Sequence, residues 1–250
     1  MVCFIGAGPG DPELITVKGQ KLIKEADVII YAGSLVNPEV IKDAKKDALI
    51  YNSADMTLEE VLHIMKDAEQ NKKKVARVHT GDPSIYGAIR EQMDALDTIG
   101  ISYEVVPGVS SFVAAAAALK KEFTLPGVAQ TVILTRLEGR TAVPEGERLG
   151  SLARHGASMC IFLSVGMMDK VVEELLEGYE ENTPVAVIYR ASWPDEKVVS
   201  GTLKDISEKV KKAGITKTAQ IVVGDFLGNR YELSKLYDKS FSHEFRSAKE

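Results

Sequence analysis

The sequence predicts an α/β fold: a first unit built on a largely parallel sheet, followed by a second α/β unit. Three observations predict it. Short apolar runs of strand type alternate with amphipathic stretches at helical spacing along the 250 residues. Loops rich in glycine and proline fall directly after several of the apolar runs. The rhythm breaks over residues 122–130, where Pro126 and Gly127 interrupt any periodicity. The expected organisation is a first domain over 1–121, a linker over 122–130, a second domain over 131–230 and a polar tail over 231–250.

Residues 2–5 are apolar and short, which predicts a strand, and residues 14–24 carry apolar side chains at helical spacing. Residues 28–31 and 48–51 are two further strand-type runs. Thr57 and Glu60 have the spacing of a capping box, so a helix opens there and runs to about Gln70. A strand is expected at 75–79, a helix at 85–97 stopped by Gly100, and a strand at 103–106 closed by Pro107 and Gly108. Residues 110–120 form an alanine-rich helix, suited to close packing on a sheet. Past the linker, strands are expected at 131–135, 159–163, 185–189 and 220–224, with helices at 169–177 and 203–212. Residues 198–202 complete a hairpin with 185–189 that turns around Trp193, Pro194 and Asp195. The tail from Tyr231 to Glu250 is polar and expected to be partly disordered.

Composition narrows the function. The chain is 45% hydrophobic and 27% charged, enough apolar material for a core, and its net charge is −5. There is no basic stripe of the kind nucleic-acid binders carry, and Lys72-Lys73-Lys74 reads as a solvated turn. The two cysteines, Cys3 and Cys160, lie in apolar strand runs without metal-ligand neighbours, so both are expected as buried reduced thiols and no metal is expected. The most apolar stretch, residues 112–119, is far short of the ~20 residues that span a bilayer. With no apparent leader, a cytoplasmic protein without membrane or nucleic-acid partners is expected.

Three strand-end loops attract attention. They are Gly6-Ala7-Gly8-Pro9-Gly10-Asp11-Pro12, Thr80-Gly81-Asp82-Pro83 and Pro107-Gly108-Val109-Ser110-Ser111. In parallel sheets, ligands bind beyond the carboxyl ends of the strands. The first loop has two glycines of a dinucleotide fingerprint, but Asp11 stands where the third belongs and would face a pyrophosphate. Pro9 and Pro12 remove two backbone donors that a phosphate cradle needs, and no Gly-Lys-Ser/Thr follows. A tight turn without ligand remains open for this loop alone, as do an N-cap role for Ser110 and a turn role for Asp82. Together the three loops suit a ligand with a neutral nucleoside, an amino group and a carboxylate but no phosphate. S-adenosylmethionine is such a ligand.

These motifs resemble those of the tetrapyrrole methylases, from Val2 to about Gly228. Within that family the chain looks most similar to the branch that methylates precorrin-4, or its cobalt form, at C11. That closer match rests on Tyr31-Ala32-Gly33-Ser34-Leu35-Val36, on residues 130–136 with Glu138-Gly139-Arg140-Thr141, and on Ala191-Ser192-Trp193-Pro194-Asp195-Glu196-Lys197. A methylase of the same family acting on a different corrin intermediate is the alternative. The resemblance implies two α/β domains with S-adenosylmethionine in the cleft between them, and a homodimer. By matching positions it implies cofactor contacts at Pro9, Gly81, Asp82, Ile85, Ser110 and Ser111 in the first domain, and at Val165, Ala191 and Ala219 in the second. Val165 replaces a methionine of some relatives, and Gly33 replaces an aspartate of others.

The resemblance implies a tetrapyrrole substrate rich in carboxylates, and arginine forks suit carboxylates. Arg136 and Arg140 flank a short loop after a second-domain strand; they are read as carboxylate holders or as surface salt bridges with nearby glutamates. Ser34 is read as a further substrate contact, and Tyr31 and Tyr86 as ring-pocket candidates. His79 is either catalytic or a hydrogen-bonded strand-end histidine. No nucleophile triad appears, so the catalytic residue is left unassigned.

Overall fold

The computed structural model describes residues 1–248. The chain divides into two compact units: Met1–Ala115 together with Arg190–Lys197, and Ala116–Tyr189 together with the chain from Val198 on.

The first unit holds β1 (Val2–Gly6), α1 (Val17–Glu25), β2 (Val28–Tyr31), β3 (Leu49–Asn52), α2 (Leu58–Gln70), β4 (Val75–His79), α3 (Arg90–Thr98) and β5 (Tyr103–Val106). Its helix α4 (Ser111–Leu119) runs across the boundary. The sheet order is β3-β2-β4-β1-β5, and every pairing is parallel. A parallel sheet is covered on both faces, so its strands read as unbroken apolar runs. Alternate side chains go to opposite faces: Ile5 and Ile29 join Ile23 of α1, while Phe4 and Ile30 join Met65 of α2 and Leu96 of α3.

The expected helix over 14–24 starts later. Asp11 caps a 3-10 turn at Pro12–Leu14, and Thr16 then caps α1. The capping box at the head of α2 forms as expected, with both reciprocal bonds present. The helix expected from residue 85 begins at Arg90. Tyr86 and Ala88 adopt left-handed φ values of 55° and 50°, and a Cβ on Gly87 would lie 2.1 Å from the Pro83 carbonyl oxygen. Residues 85–89 therefore form a tight loop, because local backbone packing overrides the apolar spacing.

The second unit holds β6 (Val132–Arg136), α5 (Leu149–Ala153), β7 (Ser158–Phe162), α6 (Met168–Leu175), β8 (Pro184–Tyr189), β9 (Lys197–Thr202), α7 (Ile206–Lys212) and β10 (Ala219–Val223). Its sheet is mixed, in the order β6-β7-β10-β8-β9: β6 and β7 are parallel, while β10 runs antiparallel to both β7 and β8. Helix α5, five residues long, is too short to leave a periodic signal and was not anticipated. The core gathers Met159, Ile161, Val171, Leu175, Val187 and Ile221, each essentially inaccessible to solvent. Residues 122–130 are irregular, with one bridge between Leu125 and Ala129. The tail is almost wholly exposed up to Ala248 and has a 3-10 turn at Lys235–Tyr237; the expectation for Lys249 and Glu250 lies outside the described residues. Among the described residues no helix is long and apolar enough to cross a membrane.

Candidate functional site

Strand β1 pairs with β4 on one side and β5 on the other. The three loops singled out in the sequence therefore leave one sheet edge side by side. They are locked by short-range bonds. The Ala7 amide donates to the His79 carbonyl at 2.7 Å, and Gly8 and Gly81 exchange backbone bonds of 3.3 and 2.8 Å. The Gly108 amide donates to Asp82 Oδ2 at 2.8 Å, and the Ser84 amide to Asp82 Oδ1 at 2.8 Å. Burial would raise the Asp82 carboxyl, but the Ser84 hydroxyl and the two amides outweigh it and hold the carboxyl below its ordinary value. Glycine is required where the loops meet: a Cβ on Gly6 would lie 2.6 Å from Gly108 Cα and 2.6 Å from the Gly81 oxygen.

A fourth segment, residues 190–197, belongs to the same unit. Trp193 Nε1 donates to the Pro9 carbonyl at 3.0 Å, and the Asp11 amide donates to Ser192 Oγ at 3.0 Å. The Arg190 guanidinium lies 3.8 Å from the Trp193 ring centroid and pairs with Asp195 at 2.7 Å. Cation–π contact and ion pair together brace the indole against the first glycine loop.

The geometry fits a ligand without phosphate. The loops at 6–12, 80–83 and 107–111 contain no lysine or arginine. Helix α1 begins at Val17, after the 3-10 turn, so the glycines do not lead straight into a helix N-terminus as a pyrophosphate site requires. The Asp11 carboxylate accepts from the Glu13 amide and caps the 3-10 turn. What the edge offers is backbone groups, the Thr80, Ser110 and Ser111 hydroxyls and the Asp11 and Asp82 carboxylates, each accepting from backbone amides.

Beside this edge, still in the first unit, lies a cavity of about 300 Å³ whose walls include Ser34, Ser53, Arg77, His79, Thr80 and Tyr86. Arg77 is 7% exposed; its Nε donates to Gln92 Oε1 at 3.1 Å, and its Nη1 donates to Ser53 Oγ at 3.0 Å and to the Ile30 carbonyl at 3.3 Å. Burial pushes the guanidinium down to about 10, so it stays charged at neutral pH. His79 is 4% exposed, its Nε2 has no hydrogen-bond partner, and burial with the Arg77 charge behind it pushes the imidazole down to about 3. It is neutral at any ordinary pH. Among the described residues no group of three metal-ligating side chains exists.

A sequence profile of the tetrapyrrole (corrin/porphyrin) methylases matches residues 1–207. The chain belongs to that family. It is 63% identical over 249 residues to a cobalt-precorrin-4 C(11)-methyltransferase of Methanocaldococcus jannaschii, covering 99% of this chain and 96% of the relative. Among solved structures, a cobalt precorrin-4 methyltransferase superposes with a TM-score of 0.89 at 50% identity, covering 91% of this chain and 96% of that one. A Thermus thermophilus uroporphyrin-III C-methyltransferase complexed with S-adenyl homocysteine superposes with a TM-score of 0.77 at 29% identity, covering 90% and 98%.

In this tetrapyrrole methylase the first unit brings together Pro9, Gly81, Asp82, Ser110, Ser111 and, through segment 190–197, Ala191. Ile85 follows closely, its amide donating to the Asp82 carbonyl at 3.2 Å. Val165, in a 3-10 turn after β7, and Ala219, which opens β10, are in the second unit. Arg136 does not form the salt bridge with a nearby glutamate that was one of its two readings. Its guanidinium donates to the Leu137, Thr141 and Ala142 carbonyls at 3.3, 3.0 and 2.7 Å, which shapes the loop that follows β6. Among the described residues no carboxylate pairs with Arg136 or Arg140. Ser34 is exposed at the cavity wall. Arg77 escaped the sequence reading. The signal was a lone arginine in the middle of a strand otherwise apolar enough to be buried on both faces.

Proposed function

We infer that the chain is an S-adenosylmethionine-dependent methyltransferase of cobalamin biosynthesis, which methylates precorrin-4, free or carrying cobalt, at C11. The observation that carries this reading is the similarity, over nearly the whole of both chains, to the Methanocaldococcus jannaschii cobalt-precorrin-4 C(11)-methyltransferase. When bound, S-adenosylmethionine supplies an electrophilic methyl group on a sulfonium that departs as a neutral thioether. The protein's part is then alignment and exclusion of water, and alignment of this kind lowers a barrier by several kcal/mol. The Gly6–Gly81–Gly108 contact, locked by Asp82, gives a rigid floor for a nucleoside, and Trp193 fixes the Pro9 end of the first loop.

The cofactor contacts are assigned to Pro9, Gly81, Asp82, Ile85, Ser110, Ser111 and Ala191, with Val165 and Ala219 of the second unit retained from the family resemblance. Arg140 and Ser34 stay assigned to the substrate. Arg136 also stays, in the lesser role of setting the loop that presents Arg140. A homodimer and a cytoplasmic location complete the reading; two buried, unpaired thiols support a reducing compartment, and light scattering at twice the chain mass would support the dimer.

Calorimetric titration with S-adenosylhomocysteine, with NAD as control, tests the cofactor. Micromolar binding of the first and none of the second is expected. NAD binding alone would overturn the assignment. The substrate is tested by mass gain and carbon NMR of the product from precorrin-4 and from its cobalt form. A methyl group at a carbon other than C11 would overturn the regiochemistry.

A further inference from the structure

We propose that the cavity beside the glycine edge is a carboxylate subsite, which takes one pyrrole corner of the tetrapyrrole with its acetate or propionate arm and anchors that arm on Arg77. The inference rests on the methyltransferase reading and adds to it a place for part of the substrate.

Three observations on the first unit carry it. The first is an uncompensated buried cation. Arginine is rarely buried unless paired, because its charge is expensive to strip of water. Arg77 is 7% exposed, yet no carboxylate lies within ion-pair distance of it among the described residues. Gln92, Ser53 and the Ile30 carbonyl satisfy Nε and Nη1 with neutral oxygens and leave the charge unbalanced. The second is an available donor. Nη2 of Arg77 has no protein acceptor among the hydrogen bonds of that side chain, and it is not among the nitrogens sealed from solvent without a partner, as His79 Nε2 is. Arg77 lines the cavity, so Nη2 is the donor assigned to an entering carboxylate; Ser53 beside it accepts from Nη1 and donates its hydroxyl to the Tyr31 carbonyl at 3.2 Å.

The third is size and place. A volume of about 300 Å³ is at the lower end of small-molecule sites, about 300–1,000 Å³. It admits one substituted five-membered ring, whereas a macrocycle of four such rings is several times larger. Ala32, Leu35, Met56 and Val61 supply apolar wall for the ring, and Ser34 and Thr80 supply hydroxyls. Thr80 directly precedes Gly81, so a ring corner seated here lies next to the cofactor edge. Glu91 also lines the cavity, but it is exposed and makes no ion pair with Arg77. Its charge disfavours an anion near it without neutralising the buried Arg77. His79 is a neutral wall group, so it does not repel the arginine or compete for the arm.

The test uses the full chain and two kinds of variant. Arg77→Gln removes the charge and Arg77→Lys keeps it without the fork. Ala54→Leu fills the rim of the cavity from an exposed position and leaves every Arg77 bond in place. The probe is uroporphyrin III, a stable octacarboxylate, titrated by fluorescence in the presence of saturating S-adenosylhomocysteine; steady-state KM and kcat with precorrin-4 accompany it. Arg77→Gln and Ala54→Leu are each expected to weaken uroporphyrin III binding and raise KM by about tenfold, with S-adenosylhomocysteine affinity held within about twofold. Arg77→Lys is expected to fall between wild type and Arg77→Gln.

Unchanged porphyrin affinity and KM in Ala54→Leu would overturn the proposal, even if Arg77→Gln fails to fold. Free propionate binding the wild type as tightly as uroporphyrin III would also overturn it, since the cavity would then serve a small carboxylate and not a ring-borne arm. A wild type that does not bind S-adenosylhomocysteine would overturn the methyltransferase reading itself, which is a separate result.

Discussion

A methyl group at Gly108 has no space: its Cβ would lie 2.2 Å from the Gly81 carbonyl oxygen and 2.7 Å from Gly6 Cα. Both neighbours are backbone, so neither can swing aside. Gly108→Ala is expected to cost about 3 kcal/mol or more and to abolish S-adenosylhomocysteine binding. Thermal unfolding and calorimetry check this, and a variant with wild-type values would show that the loops yield. The three glycines were legible in the sequence because each stands just past an apolar run. Arg77 was not. Its significance comes from Ile30, Ser53 and Gln92, groups 47, 24 and 15 positions away. The hydrogen bonds that Arg136 makes to carbonyls of its own loop were likewise not legible, since only backbone geometry reveals them.

At the scale of elements, segment 190–197 acts as a brace. Two of its residues, Arg190 and Ser192, hold left-handed φ values of 47° and 70°, conformations that ordinary residues keep only when surroundings impose them. The imposing contacts are Trp193 to Pro9 and Ser192 to Asp11. A Cβ on Gly10 would fall 2.0 Å from the indole, so loop and ring share one close fit. Trp193→Ala is expected to weaken S-adenosylhomocysteine binding by about tenfold while the sheet cores stay intact. Calorimetry with circular dichroism on the same sample reads this, and unchanged affinity would show that the first loop holds its shape alone. The hairpin strands around this segment and the capping box of α2 were readable from local pattern. The late start of α3 was not, since its apolar spacing continues through residues whose backbone turns left-handed.

For the whole molecule, His79 ties stability to pH. Folded, it titrates near 3; unfolded, near its ordinary 6.5. Between those values the unfolded chain takes up a proton that the folded chain refuses. Stability is therefore complete above about pH 6.5 and falls as pH drops, by at most about 1.4 kcal/mol per pH unit from this group. The charged and titratable groups facing it are Arg77 on its own strand and Glu91 and Tyr86 across the cavity. Urea unfolding at about pH 6.5 and about pH 5, above most carboxylate titration, is expected to show the loss in wild type and a smaller one in His79→Asn. Equal losses would show that another group dominates.

The sequence by itself determined the alternation of strands and helices, the α/β class, the three glycine loops on one edge and the absence of a phosphate cradle. These depend on periodicity and on residues whose backbone chemistry acts locally, and such effects are written in neighbouring letters. Only the tertiary structure decided that the second sheet is mixed, that segment 190–197 packs with the first glycine loop, and that Arg77 stands buried at a cavity wall with no carboxylate partner among the described residues. Those depend on pairings and burial between residues far apart in the chain, and a charge becomes costly only when folding removes its water.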